Sequence, residues 1–285
     1  MRYGVHSRLW TRGWSDEDLG LIGHAKRLGF SILEISVVNP ARVSSRRIRA
    51  EAEAVGIEVV GTLALKRECA LATADQTTRQ RGVEFLTAAV DTVREMGGSL
   101  LAGMMYAVPG YFSGAKPGED ELNWIAEGLR KVARHGRECG VRLAVEPVNR
   151  YETYLINTAG QAHRLIEQIG EPNVGLLLDT YHMNIEERGI GATLRKFGNR
   201  LFHLHLNESD RGVLGGGNID WRSVFLALRE MGYSGAGSIE SFSAVSPEVP
   251  AVTPVWRDLF DSPDDLAAQS LLFLMKQMQE LKETF

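Results

Sequence analysis

The chain has 285 residues, of which 44% are hydrophobic and 24% charged, and this composition is that of a folded globular protein. Its length holds two small domains or one α/β barrel, and its net charge of −4 provides no basic surface for a phosphate backbone, so nucleic acid is not expected as a partner. Two cysteines, Cys69 and Cys139, without CxxC spacing, read as reduced thiols of a cytoplasmic protein rather than a disulfide framework.

The chain opens with a strand-like segment, Tyr3–Val5, that lacks the apolar core of a signal peptide. Seven more apolar runs of strand length follow: Ile32–Ile35, Ile57–Gly61, Leu100–Ala102, Val141–Val145, Val174–Leu178, Leu201–Leu206 and Ala236–Ile239. Each follows an amphipathic stretch that ends at a glycine, namely Gly29, Gly56, Gly97, Gly140, Gly170, Gly198 or Gly232, where a left-handed helix terminator is expected. Ser15 with Asp18 forms a capping pair for the first helix, and Asn157-Thr158 opens the fifth. Asp264 to Lys282 closes the chain, with Leu266, Leu271, Leu274, Met275 and Met278 at helical spacing. No stretch reaches the length of a membrane span, and no membrane partner is expected. Nearly wholly apolar strands that alternate with helices predict a parallel sheet covered on both faces. Eight units with no leftover domain fit a single (β/α)8 TIM barrel over residues 1–285, with an open doubly wound sheet as the alternative. No G-x-G-x-x-G follows the first strand, and Gly215–Gly217 opens no phosphate loop.

In such a barrel the chemistry sits at the C-terminal ends of the strands. The residues there are His6, Glu34, Thr62, Gly103, Glu146, Asp179, His205 and Glu240. A single carboxylate at such a position commonly meets solvent or caps a helix. The last four strands in a row, however, end in ligand or acid/base types. Three carboxylates at one mouth repel one another unless a cation sits among them. Oxygen donors with one imidazole suit Mn²⁺ ahead of Mg²⁺, with Co²⁺ able to substitute. His203, two residues before His205, points the same way one layer deeper. It reads as a hydrogen-bonded core histidine, with support of the metal site as the alternative. His24, His135 and His163 fall in predicted helices and read as surface residues.

Several strings carry a resemblance. Glu146-Pro147-Val148-Asn149-Arg150-Tyr151-Glu152-Thr153 with Leu155-Ile156-Asn157-Thr158, and Asp179-Thr180-Tyr181-His182-Met183-Asn184-Ile185-Glu186-Glu187, are similar to segments of the D-tagatose, D-allulose (psicose) and L-ribulose 3-epimerases. His205 with Glu208-Ser209 and Arg211-Gly212, then Glu240-Ser241-Phe242 and Trp256-Arg257, complete the pattern. The resemblance covers most of the chain, with its specific motifs between Glu146 and Arg257. It implies a barrel of the xylose-isomerase-like superfamily that uses Mn²⁺ or Co²⁺ on free ketoses and forms homodimers or homotetramers. It implies metal ligands Glu146, Asp179, His205 and Glu240, with Glu146 and Glu240 also the acid/base pair. Glu152, His182 and Arg211 match positions that hold the substrate near its first three oxygens, and His6 stands where several relatives carry an aromatic residue. The Tyr106–Gly118 loop and the Lys66-Arg67-Glu68-Cys69 segment depart from the pattern and leave the exact sugar open.

Inverting a carbon beside a ketone requires removing its proton and returning one to the opposite face. A divalent ion on the oxygens of carbons 2 and 3 would stabilise the enediolate, and glutamates on strands five and eight would serve the two faces. Without the resemblance, Glu152 reads as a solvated loop charge and Arg211 as an ion-pair partner of Asp210 or Glu208. Competing readings are an aldose–ketose isomerase, a hydroxypyruvate isomerase or an inosose dehydratase on the same barrel. A trinuclear DNA-repair endonuclease needs more strand-end histidines than this chain has. A non-catalytic sugar-binding protein does not need a base on each face. Lys66, Arg67 and Lys116 could together clamp a phosphate, although a charged solvated loop accounts for them more simply.

Overall fold

A parallel strand covered by helices on one side and facing a barrel interior on the other buries both of its faces, which is why the strands read as continuous apolar runs. The computed structural model describes residues 1–11, 13–40, 43–242 and 257–283. Its strands are β1 (Arg2–His6), β2 (Ile32–Ser36), β3 (Glu58–Ala64), β4 (Leu100–Met104), β5 (Arg142–Val145), β6 (Val174–Asp179), β7 (Leu201–Leu206) and β8 (Ala236–Ile239). They form a closed parallel barrel in sequence order, with β1 pairing β8 from Arg2 opposite Ala236 to Val5 opposite Ile239. The expected TIM barrel is the fold observed. Around it lie α1 (Gly20–Arg27), α2 (Ser45–Val55), α3 (Gln76–Glu95), α4 (Glu119–Cys139), α5 (Ala159–Ile169), α6 (Thr180–Glu186), α7 (Ile190–Phe197), α8 (Trp221–Glu230) and α9 (Pro263–Glu283). No helix among the described residues is long and apolar enough to cross a membrane.

The side-chain period of two splits the core into two layers. Ile32, Val60, Leu100, Ala102, Ala144, Leu177 and Ala236 pack together as one small cluster inside the barrel. Their neighbours Leu33, Val59, Leu101, Leu143, Leu176 and Leu178 join a much larger cluster with the helices. Continuing the inward set toward the C-terminal end gives Glu34, Thr62, Glu146 and Asp179. The alternation therefore delivers the polar residues to the mouth.

The inward set is interrupted once. Leu201 pairs with Leu176 and His203 with Leu177, so Phe202 is an extra residue in β7. Leu201 belongs to the outer cluster, Phe202 packs against the inner one, and His203 and His205 both follow inward. Gly175 makes room for the bulge, since a Cβ there would lie 2.5 Å from the Phe202 ring.

Six of the seven expected helix-ending glycines have positive φ, from 62° at Gly232 to 103° at Gly29. Gly198 does not. Its φ is −64°, and the short helical turn Gly198–Arg200 continues into β7. A Cβ there would displace the flexible end of the Met231 side chain. Ser15 and Asp18 do form a reciprocal capping box, on the 3₁₀ turn Asp16–Leu19 that leads into α1. Thr158, rather than Asn157, caps α5, and the Asn157 amide donates to the carbonyls of Val148 and Thr153. In α9, Leu266, Leu271 and Leu274 are buried as expected, whereas Met275 is 56% exposed, so the apolar stripe is narrower than its spacing suggested. Strands β3 and β4 run past their predicted ends through the pairing of Ala64 with Met104, which places Thr62 and Gly103 inside strands.

Candidate active site and metal cluster

The ends of β5 to β8 bring Glu146, Asp179, His205 and Glu240 together, all buried, with one donor atom from each lying within 4.8 Å of the others. His205 reaches both glutamates. Its Nδ1 is 3.2 Å from Glu146 Oε1 and 3.4 Å from Glu240 Oε2, while its Nε2 is 3.0 Å from Glu34 Oε2. The bond to Glu34 occupies Nε2 and leaves Nδ1 as the nitrogen facing the cluster. Asp179 divides its oxygens in the same manner. Oδ1 caps α6 through the Tyr181 N–H at 2.7 Å, and Oδ2 faces the cluster, where it accepts from Asn207 at 2.8 Å.

These residues fit a divalent cation. Burial, with Glu240 and Asp179 adding to it, pushes Glu146 up to about 7 despite the opposing pull of His205. Glu240 goes the other way: burial would raise it, but His205 and Arg211 hold it well below the usual carboxylate range. His205 is held well above the histidine range, since Glu34, Glu240 and Glu146 together outweigh its burial. Three buried carboxylates against one imidazole and one guanidinium leave the cluster short of positive charge, and oxygen donors with a single nitrogen are the chemistry of Mn²⁺ or Mg²⁺.

The cluster opens into a cavity of about 390 Å³ whose walls include His6, Arg8, Thr62, Lys66, Arg67, Glu152, His182, Arg211 and Phe242. Every residue expected to contact substrate therefore lines one cavity. Arg211 donates from Nη1 to Asp179 Oδ2 at 3.1 Å and Glu240 Oε2 at 3.0 Å. Its guanidinium lies 4.1 Å from the Tyr181 ring centroid and 5.2 Å from that of Phe242. Asp210 and Glu208 are not its partners. Asp210 pairs with Arg257 at 3.2 Å, and the buried Glu208 carboxylate accepts from Ser209 N, Gly215 N, Ile219 N and Trp221 Nε1. The 215–217 glycines thus wrap a carboxylate instead of a phosphate. Arg211 also has φ of 67°, the one positive value outside glycine among the described residues, fixed by its N–H on Glu208 O and its carbonyl on Ser241 Oγ.

Asn149 positions a second pair that lines the cavity. Its side chain donates to Glu152 Oε1 at 2.9 Å, and its backbone N–H donates to His182 Nδ1 at 3.2 Å. Burial pushes Glu152 up to about 8 and His182 down to about 4, so both face the cavity as neutral groups able to donate a hydrogen bond. Glu152 is buried rather than a solvated loop charge. His6 lies in the same wall, but its ring is already engaged, with Nδ1 accepting from Arg8 N and Nε2 2.8 Å from Thr62 Oγ1. Lys116 is elsewhere, in a separate cleft with Arg150 and Tyr154, so the three-cation phosphate clamp is not assembled. Trp256 lies outside the described residues.

His203 is the expected hydrogen-bonded core histidine. It is fully buried in the barrel, and its Nε2 contacts Glu34 Oε1, so one carboxylate joins both histidines of β7. The helical histidines are not free surface residues. His24 pairs with Asp264 at 2.8 Å, His135 with Asp91 at 2.9 Å, and the His163 ring lies against Phe197 with its Nδ1 buried. Sequence reasoning missed the supporting set of Glu34, Asn149 and Asn207. The period-two rule that linked His203 to His205 extends to Asn207, whose Oδ1 also accepts from Glu240 N at 2.9 Å.

The sequence profile of the xylose isomerase-like TIM barrel family matches residues 22–277. The chain is 35% identical to an L-ribulose 3-epimerase of Mesorhizobium japonicum, over 96% of this chain and 93% of that one. It is 33% identical to an L-ribulose 3-epimerase of Methylomonas sp., over 97% and 98% of the two chains. The chain belongs to the ketose 3-epimerases of the xylose isomerase-like TIM barrel family. These are enzymes of the isomerase class. Among solved structures, D-allulose 3-epimerase from Methylomonas sp. in complex with D-allulose superposes with a TM-score of 0.92 at 31% identity, covering 97% of each chain.

Proposed function

We propose that this ketose 3-epimerase interconverts free ketoses of the D-tagatose, D-allulose and L-ribulose type at carbon 3, with Glu146 and Glu240 as its two acid/base groups. The observation that supports the reading is the convergence of two buried glutamates, from the ends of β5 and β8, on His205 Nδ1. Glu146, Asp179, His205 and Glu240 would hold a divalent cation, Mn²⁺ with Co²⁺ or Mg²⁺ as substitutes. When bound, it supplies Lewis-acid stabilisation of the charge that develops on the oxygens of carbons 2 and 3.

In one direction a glutamate carboxylate takes the carbon-3 proton, and the electron pair moves into the carbon-2 carbonyl to give an enediolate. The other glutamate, protonated, returns a proton to the opposite face of carbon 3. The reverse reaction exchanges the two roles, and each proton transfer contributes on the order of 10²–10⁴-fold. Neutral Glu152 and His182 orient the hydroxyl on carbon 1, and Arg211 holds the neighbouring oxygens. His6 and Thr62, which line the same cavity, would face the far end of the sugar. The unassembled phosphate clamp supports the free sugar as substrate, and the D-allulose complex of the Methylomonas relative supports a ketohexose. The free thiols of Cys69 and Cys139 support a cytoplasmic location, and the resemblance supports a homodimer or homotetramer, which light scattering would distinguish from a monomer.

The test is to incubate Glu146→Gln and Glu240→Gln, each loaded with Mn²⁺, with each epimer in D₂O and to follow the carbon-3 proton. Each variant should exchange deuterium into one epimer without converting it to the other. Near wild-type epimerisation by both variants overturns the two-base mechanism.

A further inference from the structure

We propose that Asp91, His135 and Cys139 form a second cation site, on the outer flank of the barrel, that takes a thiophilic divalent ion such as Zn²⁺. His135 and Cys139 are four residues apart near the end of α4 and so project from one face of the helix. Helix α3 packs beside α4 and brings Asp91 to the same place. His135 Nε2 lies 2.9 Å from Asp91 Oδ1, and Cys139 Sγ lies 3.5 Å from the same nitrogen and 3.8 Å from the same oxygen.

An Asp–His hydrogen bond needs no third partner. The distinguishing feature is that the thiol also converges on both atoms. Tetrahedral zinc with bonds of ~2.0–2.3 Å has ligand–ligand edges of roughly 3.3–3.6 Å. The three observed separations bracket those edges, so a few tenths of an ångström in exposed side chains would complete one face of a tetrahedron. The His135 and Asp91 side chains are 32% and 43% exposed, leaving the fourth position to water or a small ligand.

The donors also decide which ion enters. Thiolate, imidazole and carboxylate select zinc, whereas the oxygen-rich cluster in the barrel mouth suits harder ions, so the two sites would sort metals by softness. Burial and the Asp91 charge keep the Cys139 thiol protonated above its ordinary range. An entering ion displaces that proton to water, and the thiolate and carboxylate then offset its two charges. Glu138 adds to the attraction and Arg94 opposes it. Once filled, the site would tie α3 to α4 at a place remote from the substrate cavity.

Cobalt reports this site separately from the barrel mouth, since only a thiolate ligand gives the intense near-ultraviolet thiolate-to-cobalt charge-transfer absorption. Full-length protein stripped with chelator and titrated with Co²⁺ should develop that absorption, and Zn²⁺ should abolish it. Cys139→Ser and His135→Ala should lose it, Cys69→Ser should retain it, and Zn²⁺ should raise the thermal midpoint of the wild type by more than that of Cys139→Ser, whose barrel-mouth cluster is intact. Absence of the band at saturating Co²⁺, or a band that survives in Cys139→Ser, overturns the proposal. Glu240→Gln, which disturbs only the other cluster, should leave the band in place.

Discussion

Glu34 touches the candidate site without lining its cavity. Its two carboxylate oxygens meet His203 and His205, both fully buried, and so fix which nitrogen His205 presents to Glu146 and Glu240. Glu34→Gln keeps the shape but cannot accept from both rings, and it should weaken Mn²⁺ binding roughly 10–100-fold in a calorimetric titration. An unchanged affinity would confine Glu34 to packing. Arg211 gives a second test at this scale. At φ of 67° an alanine is strained and a glycine is not. Arg211→Gly should therefore be more stable than Arg211→Ala by about 1 kcal/mol in urea unfolding, the reverse of the usual order. The four proposed ligands were legible in the sequence because each lies at or beside the C-terminal end of an apolar run. Glu34 does too, but its partners are set by the width of the barrel interior, which no local pattern records. Asn149 was equally hidden, since its role rests on the 33-residue separation from His182 closing in space.

The strands were legible as elements because two buried faces make them apolar throughout, and most helix ends because their glycines take positive φ. The sequence did not reveal the bulge at Phe202. An extra residue changes the facing of everything before it relative to everything after it, yet Leu201–Leu206 reads as one unbroken run. The bulge depends on the space left by Gly175. Gly175→Ala would press a methyl group to 2.5 Å from the Phe202 ring and should cost ~1–3 kcal/mol of stability, read as a shifted urea midpoint. If the strand relieves the clash by rotating, His205 turns with it, and Mn²⁺ affinity should fall in the same variant. A stable variant with normal affinity would show that Phe202 moves independently of the histidines.

For the molecule as a whole, a cation that binds only the folded barrel must stabilise it. Mn²⁺ at ~100 times its dissociation constant should add about 2.7 kcal/mol to unfolding, and Glu240→Gln should lose most of that gain. Chelation should abolish turnover, and Mn²⁺ or Co²⁺ should restore it; full activity after exhaustive metal removal would contradict the proposed centre. The closed barrel was legible from eight alternating units, and its sequential strand order is the simplest that such a repeat allows. The order has a consequence for how such an enzyme can diverge. All four proposed ligands lie in the second half of the chain, whereas His6, Arg8, Thr62, Lys66 and Arg67, in the wall of the same cavity, come from the first. On the proposed assignment, the metal and acid/base residues would come from one stretch of the chain and part of the cavity wall from another, with Glu34 joining them through His203 and His205. A chimera that joins the first four strand–helix units of another ketose 3-epimerase to this chain from Val141 onward should keep carbon-3 exchange and take on the donor's choice of sugar. The condition is that a glutamate remains where Glu34 stands, which makes the first half a replaceable cassette with one fixed residue.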